Sequence, residues 1–225
     1  MSSKKDHEWM KDLRLAARRK GTMLSLAEEP QSTQSSLLRQ IRSLSNAPGW
    51  VRFFETYAPL IERFALKSGL SAVESQEVVQ NTMIQVSKTI PDFDRAKGSF
   101  KAWLYRCAKW RILDILRTRI KNTMGFHRDK EGLAEVSGES WEPGVSVFEK
   151  LWDEEWEDQL KREALEEVRK KVSGAHFQIF CLYVLEEMPA RTVAAMVGVR
   201  VAQVHLVKCR VTRMVRKALE TLRKT

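Results

Sequence analysis

Gly198 interrupts a stretch of the chain, from Thr192 to Arg210, that is otherwise rich in apolar and helix-forming residues. A glycine inside a helix costs about 1 kcal/mol relative to alanine, so its presence needs a physical reason. Glycine reaches positive φ without steric penalty and can therefore reverse the chain within about three or four residues. We interpret the stretch as two helices with Gly198 as their turn. Such a pair of helices either binds DNA or is part of an ordinary helical bundle.

Small and apolar residues flank this predicted turn at helical spacing. Val193, Ala194 and Val197 would form the inner side of the first helix, and Ala194 is small enough for two helices to cross closely. The second helix would carry an apolar stripe of Val204, Val207, Val211, Met214, Val215, Ala218 and Leu222.

The opposite side of the second helix is polar and strongly basic. Glu220 is the only acidic residue between Arg200 and Thr225, so the cations repel one another unless phosphates or solvent offset them. Side chains in the first turns can reach base edges in a major groove, and later cations can reach phosphates. A solvated helix in a bundle is the alternative, but the small residue before Gly198 and the valine stripe after it favour a helix-turn-helix. The residues on this side and its flanks are Gln203, His205, Leu206, Lys208, Arg210, Arg213, Arg216 and Lys217.

Composition restricts the partners and the fold class of the chain. The 225 residues carry a formal net charge of +10 and are 43% hydrophobic, which indicates a globular chain attracted to nucleic acid or to an acidic membrane surface. The low counts of 10 glycines and 6 prolines, with little alternation of β-branched residues, predict an all-α fold. No apolar run is long enough to span a membrane, so we expect a cytoplasmic protein without a membrane partner.

The three cysteines, Cys107, Cys181 and Cys209, lie far apart in apolar-periodic segments, and no CxxC pair occurs. We expect three buried thiols, which are typical of a reducing cytosol. The four histidines do not cluster with the cysteines, so the sequence predicts no metal site and no cofactor.

The pattern of composition divides the chain into four segments. Residues 1–36 are expected to be a mobile or only loosely helical N-terminal extension, and residues 37–122 a helical module. Residues 123–160 are predicted to be a linker that ends in an acidic helix, whose stretch DEEWED we interpret as a solvated face. Residues 161–225 are the second module. The predicted fold is therefore all-α, with two small helical domains joined by a flexible linker.

The most informative segment of the first module is GSFKAWLYRCAKWRILDILRTRIKN. Its cations face a single acid, Asp114, and are interleaved with Trp103, Tyr105 and Trp110. Bases stack on aromatic rings while cations follow the backbone of a single strand, so the pattern favours single-strand binding. The alternative is that the tryptophans are core residues, which we favour for Trp103 and leave open for Trp110.

These segments together resemble a bacterial RNA polymerase sigma factor of the extracytoplasmic-function (ECF) type, over about residues 37–222. EVVQNTM is similar to the polymerase-clamp helix of that family, and FKAWLYRCAKWRILDILRTR is similar to its promoter-melting helix. TVAAMVGVRVAQVHLVKCRVTRMVRKALETL resembles its minus-thirty-five-binding helix-turn-helix. The order and spacing of the three segments carry the resemblance, which implies a sigma region 2 bundle and a region 4 helix-turn-helix.

The resemblance implies a chain without catalytic residues that binds core RNA polymerase and directs promoter recognition and melting. The implied partners are core RNA polymerase, promoter DNA in duplex and single-stranded form, and an anti-sigma factor. The implied polymerase-binding residues are Glu77, Val78, Gln80, Asn81 and Ile84. Those implied for the minus-ten element are Phe93, Lys97, Ser99, Lys109, Trp110, Arg111, Arg117 and Arg119. Those implied for the minus-thirty-five duplex are Arg200, Val201, Gln203, His205, Lys208, Arg210 and Arg213.

Several positions depart from the family pattern. Glu77 stands where the family usually has aspartate, Asn81 where it has an acid, and Trp110 where it has asparagine. Base capture near Trp110 would therefore depend on stacking rather than on an amide. The recognition helix begins with Arg200-Val201-Ala202 instead of a Ser/Thr-rich start, so the resemblance implies no particular promoter sequence.

Two functions from other classes are alternatives. A helix-turn-helix regulator would bind duplex DNA without polymerase, but a sensor module has no need for the basic-aromatic helix around Trp110. A helical enzyme acting on nucleic acid would need convergent His-carboxylate or paired carboxylate motifs, and the sequence shows none. If DEEWED is a solvated face, substituting Asp153, Glu154 and Glu155 together should leave function largely intact.

Overall fold

A computed structural model describes residues 2–18, 34–43, 45–124 and 145–224. Within these ranges the chain forms helices and turns and no strand, which confirms the predicted all-α fold. Within the same ranges no single helix is both long and apolar enough to cross a membrane. The helices are α1 (Ser2–Arg18), α2 (Gln34–Ile41), α3 (Ala47–Lys67), α4 (Ala72–Thr89), α5 (Phe100–Met124), α6 (Val145–Arg169), α7 (Gly174–Phe180), α8 (Ala190–Val197) and α9 (Val201–Lys224).

The chain divides into two compact units. The central unit is Ser36–Trp156, and the terminal unit combines Met1–Ser35 with Glu157–Thr225. The predicted boundaries differ from this division, because the first half of α6 belongs to the central unit rather than to a linker. Residues 125–144, which contain most of the predicted linker, lie outside the described residues.

Helix α3 begins where the sequence supplies a cap. Asn46 accepts a hydrogen bond from the backbone N–H of Gly49 at 3.0 Å, and Pro48 lies in the first turn, where its missing N–H costs nothing. The helix then continues past Pro59 to Lys67. Pro59 therefore lies inside a continuous helix and does not divide it.

Helix α4 starts with a capping box. The Ser71 hydroxyl accepts from the backbone N–H of Glu74, and the Glu74 carboxylate accepts from the backbone N–H of Ser71. Gly69, just before the box, has a φ of 89° and provides the reversal after α3. Ser71 is thus the N-cap, and Ser75, one turn later, is buried.

Aromatic rings from α3 and α6 meet in the core of the central unit. Phe64 packs edge-on against Trp152 at 5.2 Å between ring centroids, and Tyr57 stacks on Trp156 at 6.0 Å. Trp152 is 2% exposed and Trp156 is 6% exposed. Each such ring pair contributes about 0.5–1.5 kcal/mol beyond the area that it buries, so these rings fix the first half of α6 to the central unit.

The acidic stretch at the start of α6 is only partly solvated. Glu155 is 0% exposed, and its carboxylate accepts from Arg63 Nε and Lys67 Nζ, each at 2.7 Å. Asp153 is exposed and pairs with Lys101 at 2.7 Å. The interpretation of DEEWED as a solvated face is therefore wrong at Glu155, because α6 turns this residue toward the cations of α3. It is also wrong at Asp158, which is 8% exposed and pairs with Lys161 at 3.3 Å.

The terminal unit contains the turn that the sequence predicted. Gly198 ends α8 in the left-handed conformation, with φ 72° and ψ 35°, and the backbone N–H of Val199 donates to the carbonyl of Ala194 at 3.0 Å. Val193 and Ala194 are buried as expected. Helices α8 and α9 are bent by 101° relative to each other, within the range of about 90–120° of helix-turn-helix pairs.

The N-terminal extension departs from its expected loose order. Ser2–Arg18 form helix α1, and its residues Met10, Leu13 and Ala16 are buried in the terminal unit. Their spacing of three residues places them on one side of the helix. The remainder of the extension, residues 19–33, lies outside the described residues.

The cysteines differ from the expected three buried thiols. Cys107 and Cys181 are partly buried, and burial raises the pKa of both thiols, that of Cys181 to about 11. Cys209 is exposed on α9, so the prediction is wrong for this residue. Cys209 lies two residues from both Val207 and Val211, about 200° around the helix from each, and therefore on the side opposite the buried stripe.

Candidate nucleic-acid interface

Helix α9 separates into an apolar face and a basic face. Its buried residues are Val204, Val207, Val211, Val215, Ala218 and Leu219. Most of the residues predicted to meet duplex DNA are exposed, namely Arg200, Val201, Gln203, His205, Arg210 and Arg213. The first turn of α9 contains no acidic residue, so the positive end of the helix dipole reinforces the charge of Arg200 toward a phosphate. This face carries donors, cations and no carboxylate before Glu220.

Tyr183 organises the start of the basic face. Its hydroxyl lies 3.3 Å from Nδ1 of His205, and the two rings meet edge-on at 5.4 Å between centroids. The ammonium group of Lys208 lies 5.6 Å from the centroid of the Tyr183 ring, and Lys208 is partly buried. Sequence reasoning missed Tyr183, because it precedes its partners by more than twenty residues and carries no periodic signal.

Leu206 is an apolar residue in the middle of the basic face, and 70% of its surface is exposed. An exposed leucine between cations can contact the C5-methyl group of thymine, which is a recognised form of major-groove readout. The face therefore offers both polar and apolar contacts to base edges.

Helix α5 of the central unit presents an exposed aromatic residue among cations. Trp110 is 65% exposed, and the guanidinium of Arg117 lies 5.9 Å from its ring centroid. The ammonium group of Lys109 lies 5.9 Å from the centroid of the Tyr105 ring. Arg111 is partly buried on the same helix. The question that the sequence left open for Trp110 is answered, since the ring is not in the core.

The loop before α5 is held by its own aromatic residue. Phe93 is 8% exposed and packs against Trp103 at 5.0 Å and against Phe100 at 5.9 Å. Arg42, which sequence reasoning missed, donates to the carbonyl of Phe93 at 2.7 Å. Phe93 therefore packs under the loop against α5 and offers no ring face to a base. This position is contrary to the predicted contact of Phe93 with the minus-ten element.

Lys97 and Ser99 occupy the outer side of this loop. Lys97 is exposed. The hydroxyl of Ser99 accepts from the backbone N–H of Ala102 at 3.2 Å and so caps α5. Lys97 precedes the N-terminus of α5 by three residues. Its charge and the positive end of the helix dipole both favour an anion at this point.

Arg119 lies at the far end of α5 and is engaged by the start of α4. Its guanidinium pairs with Glu74 and donates to the carbonyl of Gly69 at 3.3 Å. The hydrogen bonds from Arg119 and Ser71 lower the pKa of Glu74 to about 2. Arg119 therefore fastens α5 to α4, which differs from the phosphate contact predicted for it.

Helix α4 exposes a stripe that continues beyond the predicted polymerase-binding residues. Glu77, Gln80 and Ile84 are exposed, and Ile84 keeps 45% of its surface free. Val73, one turn before Glu77, is 77% exposed and was missed by sequence reasoning. Asn81 is partly buried. The exposed face of α4 therefore has an apolar residue at each end, Val73 and Ile84, with Glu77 and Gln80 between them.

Val78 was also assigned to that face, but it is 0% exposed. Its position one residue after Glu77 turns it by about 100° toward α3 and α5. The assignment of Val78 to polymerase binding is therefore wrong, because its side chain is part of the core of the central unit.

Residues 53–121, which contain the α4 stripe, the loop and the basic-aromatic side of α5, match the family model for Sigma-70 region 2. The chain is also 30% identical over 82 residues to the ECF RNA polymerase sigma factor RpoE of Cereibacter sphaeroides. That alignment covers 36% of this chain and spans 45% of the length of the relative. Both matches agree with the resemblance to sigma factors of the sigma-70 family.

A solved structure of CnrH in complex with the cytosolic domain of CnrY is similar over 82% of this chain and 96% of that chain. The sequence identity is 18% and the TM-score is 0.33. The region 2 match begins at Phe53 in α3 and ends at Lys121 in α5. The helix-turn-helix lies outside this match, so its interpretation rests on Gly198 and on the two faces of α9.

Proposed function

We propose that this chain is an ECF-type sigma factor, a dissociable subunit that directs core RNA polymerase to promoters and favours their opening. The observation that carries the proposal is the exposed Trp110 beside Arg117 within the segment that matches the Sigma-70 region 2 model. A duplex-binding regulator does not need an exposed ring among cations on a helix far along the chain from its helix-turn-helix. The polymerase would supply the chemistry, and no residue of this chain is assigned a catalytic role.

The proposed role of α9 is to bind the upstream promoter element as duplex DNA. Gln203 and His205 lie in the first turns, where side chains reach base edges, and Arg210 and Arg213 follow at positions suited to phosphates. The edge-on contact with Tyr183 restricts the orientation of the His205 ring. Binding through several phosphate contacts should fall steeply with salt, with a log-log slope of about −0.9 for each contact.

The proposed role of α5 is to hold an unpaired strand. Stacking of one base on Trp110 would contribute about 1–3 kcal/mol, and Lys109, Arg111 and Arg117 would attract the backbone of the same strand. Separating one step of a duplex costs about 1–2 kcal/mol of lost stacking. Capture of a base therefore offsets a comparable cost, so the bound state favours the open duplex.

The proposed role of the exposed α4 stripe is to dock on the polymerase. Val73 and Ile84 supply apolar area at its two ends, and Glu77 and Gln80 supply polar contacts between them. This arrangement, apolar anchors with polar residues nearby, is typical of protein–protein interfaces. An anti-sigma factor, if the host encodes one, would be a further partner of the chain.

The test is transcription with core polymerase and the full chain on two forms of one promoter, fully paired and pre-melted. Trp110→Ala is expected to lower initiation about tenfold on the paired template and much less on the pre-melted template, since about 1.4 kcal/mol of lost stacking is a factor of ten. Trp110→Phe should retain most activity because it keeps a ring for stacking. Phe54→Ala, which removes another exposed ring of the central unit, is the matched control.

Equal loss on both templates would show that Trp110 does not act in opening. A chain that binds no core polymerase and protects a palindromic duplex alone would instead be a helix-turn-helix regulator. Loss of core binding in Ile84→Glu, with duplex binding retained, would separate the two proposed interfaces.

A further inference from the structure

Helix α1 docks on the terminal unit through a narrow apolar side. Met10, Leu13 and Ala16 are 9%, 0% and 0% exposed. Leu15, on the other side of the helix, is 51% exposed. The buried side is short, because only these residues of the described part of α1 are fully enclosed.

Arg14 fastens α1 to the segment just before the helix-turn-helix. Its Nε donates to the carbonyl of Val184, and its Nη1 pairs with Glu187. Val184 lies near the end of the π-helical turn Cys181–Leu185, where carbonyl groups lack partners within the helix. Glu187 has a φ of 57°, an uncommon conformation for a residue with a side chain. The guanidinium therefore satisfies a free carbonyl and holds an irregular turn in place.

The edges of α1 make polar contacts with the same unit. Asp12 lies 3.9 Å from the ammonium of Lys161, and the carbonyl of Ala16 accepts from Arg162 Nη1 at 3.5 Å. The guanidinium of Arg216, on α9, lies 4.7 Å from the ring centroid of Trp9. Trp9 thus brings α1 into contact with the helix proposed to bind duplex DNA.

The contact falls on one flank of α9. Lys208, Thr212 and Arg216 follow one another at intervals of four residues, and all are partly buried although they are polar. Arg210 and Arg213, which point to the other side, are exposed. The cations of α9 that are covered therefore lie on the flank next to α1.

A cavity of about 380 Å³ lies between α1, residues 183–190 and Lys208 of α9. Its lining includes Met10 and Arg14 of α1, together with Tyr183 and Lys208. Packing between α1 and α9 is therefore incomplete at Lys208, whereas Trp9 contacts Arg216 further along the same flank. An incompletely packed helix with a short apolar side is displaced more readily than one that belongs to the core.

We propose that α1 is an intramolecular cover that withholds Arg216 from the phosphates of a polyanion. DNA and α1 would compete for this cation, so the chain with α1 docked binds DNA more weakly than the chain with α1 released. As applied to duplex DNA, the inference rests on the proposed function of α9. Release of α1 would return one cation to the basic face.

The experiment uses the full chain and a promoter duplex over a range of salt concentrations. Trp9→Ala removes the contact to Arg216 without changing the net charge. It is expected to bind the duplex several-fold more tightly, with a log-log salt slope steeper by about 1, as one more phosphate contact would produce. Leu15→Ala shortens an exposed apolar side chain of the same helix and should leave affinity and slope unchanged.

A double variant identifies the cation. If Arg216 is the group released, Arg216→Gln in the Trp9→Ala background should remove the gain in slope. Unchanged or weaker binding by Trp9→Ala would overturn the cover and make α1 a structural brace. A gain in affinity that persists in the Trp9→Ala/Arg216→Gln double variant would overturn it as well.

The cover and the proposed function can fail separately. Arg210→Ala should weaken duplex binding whether or not α1 is a cover, and a full chain that binds no duplex would refute duplex recognition. Heparin is a polyanion without base pairs, so its binding does not depend on promoter recognition. Elution of Trp9→Ala from heparin at higher salt than wild type supports the cover, and elution at the same salt overturns it.

Discussion

Replacing Glu155 by glutamine removes a buried negative charge while keeping the shape of the side chain. In the folded chain the carboxylate is fully buried and lies 2.7 Å from both Arg63 Nε and Lys67 Nζ. Loss of one partner of a buried ion pair costs about 3–5 kcal/mol, because a charge is left without compensation. The side chains of Arg63 and Lys67 are 20% and 31% exposed, so water compensates part of the loss. We therefore expect a cost of about 3 kcal/mol, at the lower end of that range.

Urea unfolding followed by tryptophan fluorescence measures this cost, since Trp152 and Trp156 lie within one turn of Glu155 and are buried. With an m-value of roughly 2 kcal/mol/M, the midpoint of the central unit should fall by about 1.5 M. The m-value itself should not change, because the folded core is the same.

The matched control is Asp153→Asn, two residues earlier on α6. Asp153 also pairs with a lysine at 2.7 Å, but its side chain is 64% exposed, and such pairs contribute about 0–1 kcal/mol. Equal effects of Glu155→Gln and Asp153→Asn would show that burial of the Glu155 pair does not matter, and the reasoning would be refuted.

The pH dependence of the same group has a definite sign. Burial acts to raise the pKa of Glu155, but hydrogen bonds from Lys67 and Arg63 outweigh it and hold the pKa below the ordinary value of 4.5. Stability from this carboxylate is therefore present above pH 4.5 and is lost as the pH falls through the folded-state pKa. Glu155→Gln should show a smaller loss of central-unit stability in acid than the wild type.

Two further predictions concern the terminal unit. Burial raises the pKa of Glu163 to about 7, although a hydrogen bond from Gln159 and the charge of Arg162 act to lower it. The contribution of this carboxyl group to folding stability is therefore greatest below about pH 4.5. That contribution is lost as the pH rises through about 7, by at most about 3 kcal/mol. Glu163→Gln should raise the melting temperature at about pH 8 and flatten its pH profile between about 5 and 8; an unchanged profile would show that Glu163 titrates normally. Gly198 has open space where the Cβ of another residue would lie, but its φ is 72°, so Gly198→Val should cost roughly 1–3 kcal/mol from backbone strain alone and impair upstream DNA binding while core-polymerase binding persists. Gly198→Asn should cost less, because asparagine tolerates the left-handed conformation, and equal stability of the two variants by thermal unfolding would contradict the strain explanation.

The two faces of α9 could be predicted from sequence because they depend on helical periodicity alone. Val204, Val207 and Val211 recur on one side, and Arg210 and Arg213 fall on the other, whatever the helix packs against. The Gly198 turn was predictable for a similar reason, since its left-handed conformation is a local backbone property.

Errors arose where the decisive neighbour is distant in the chain. Val78 belongs to an apolar stripe by periodicity, yet the family resemblance placed it on the polymerase face, and the packed structure buries it. Phe93 is a loop residue by sequence, but in the folded chain its ring packs against Trp103 of α5. Local pattern does not reveal such partners.

The sequence by itself determined where the helices start and turn, which side of α9 is basic, and that α5 mixes cations with aromatic rings. Only the tertiary structure decided that Glu155 is buried between two cations, that Tyr183 meets His205, and that Trp9 covers Arg216. Helix formation and amphipathic pattern arise from residues within about four positions of one another. Burial of a charge, in contrast, depends on which other element supplies its partner, and that choice is made when the helices pack.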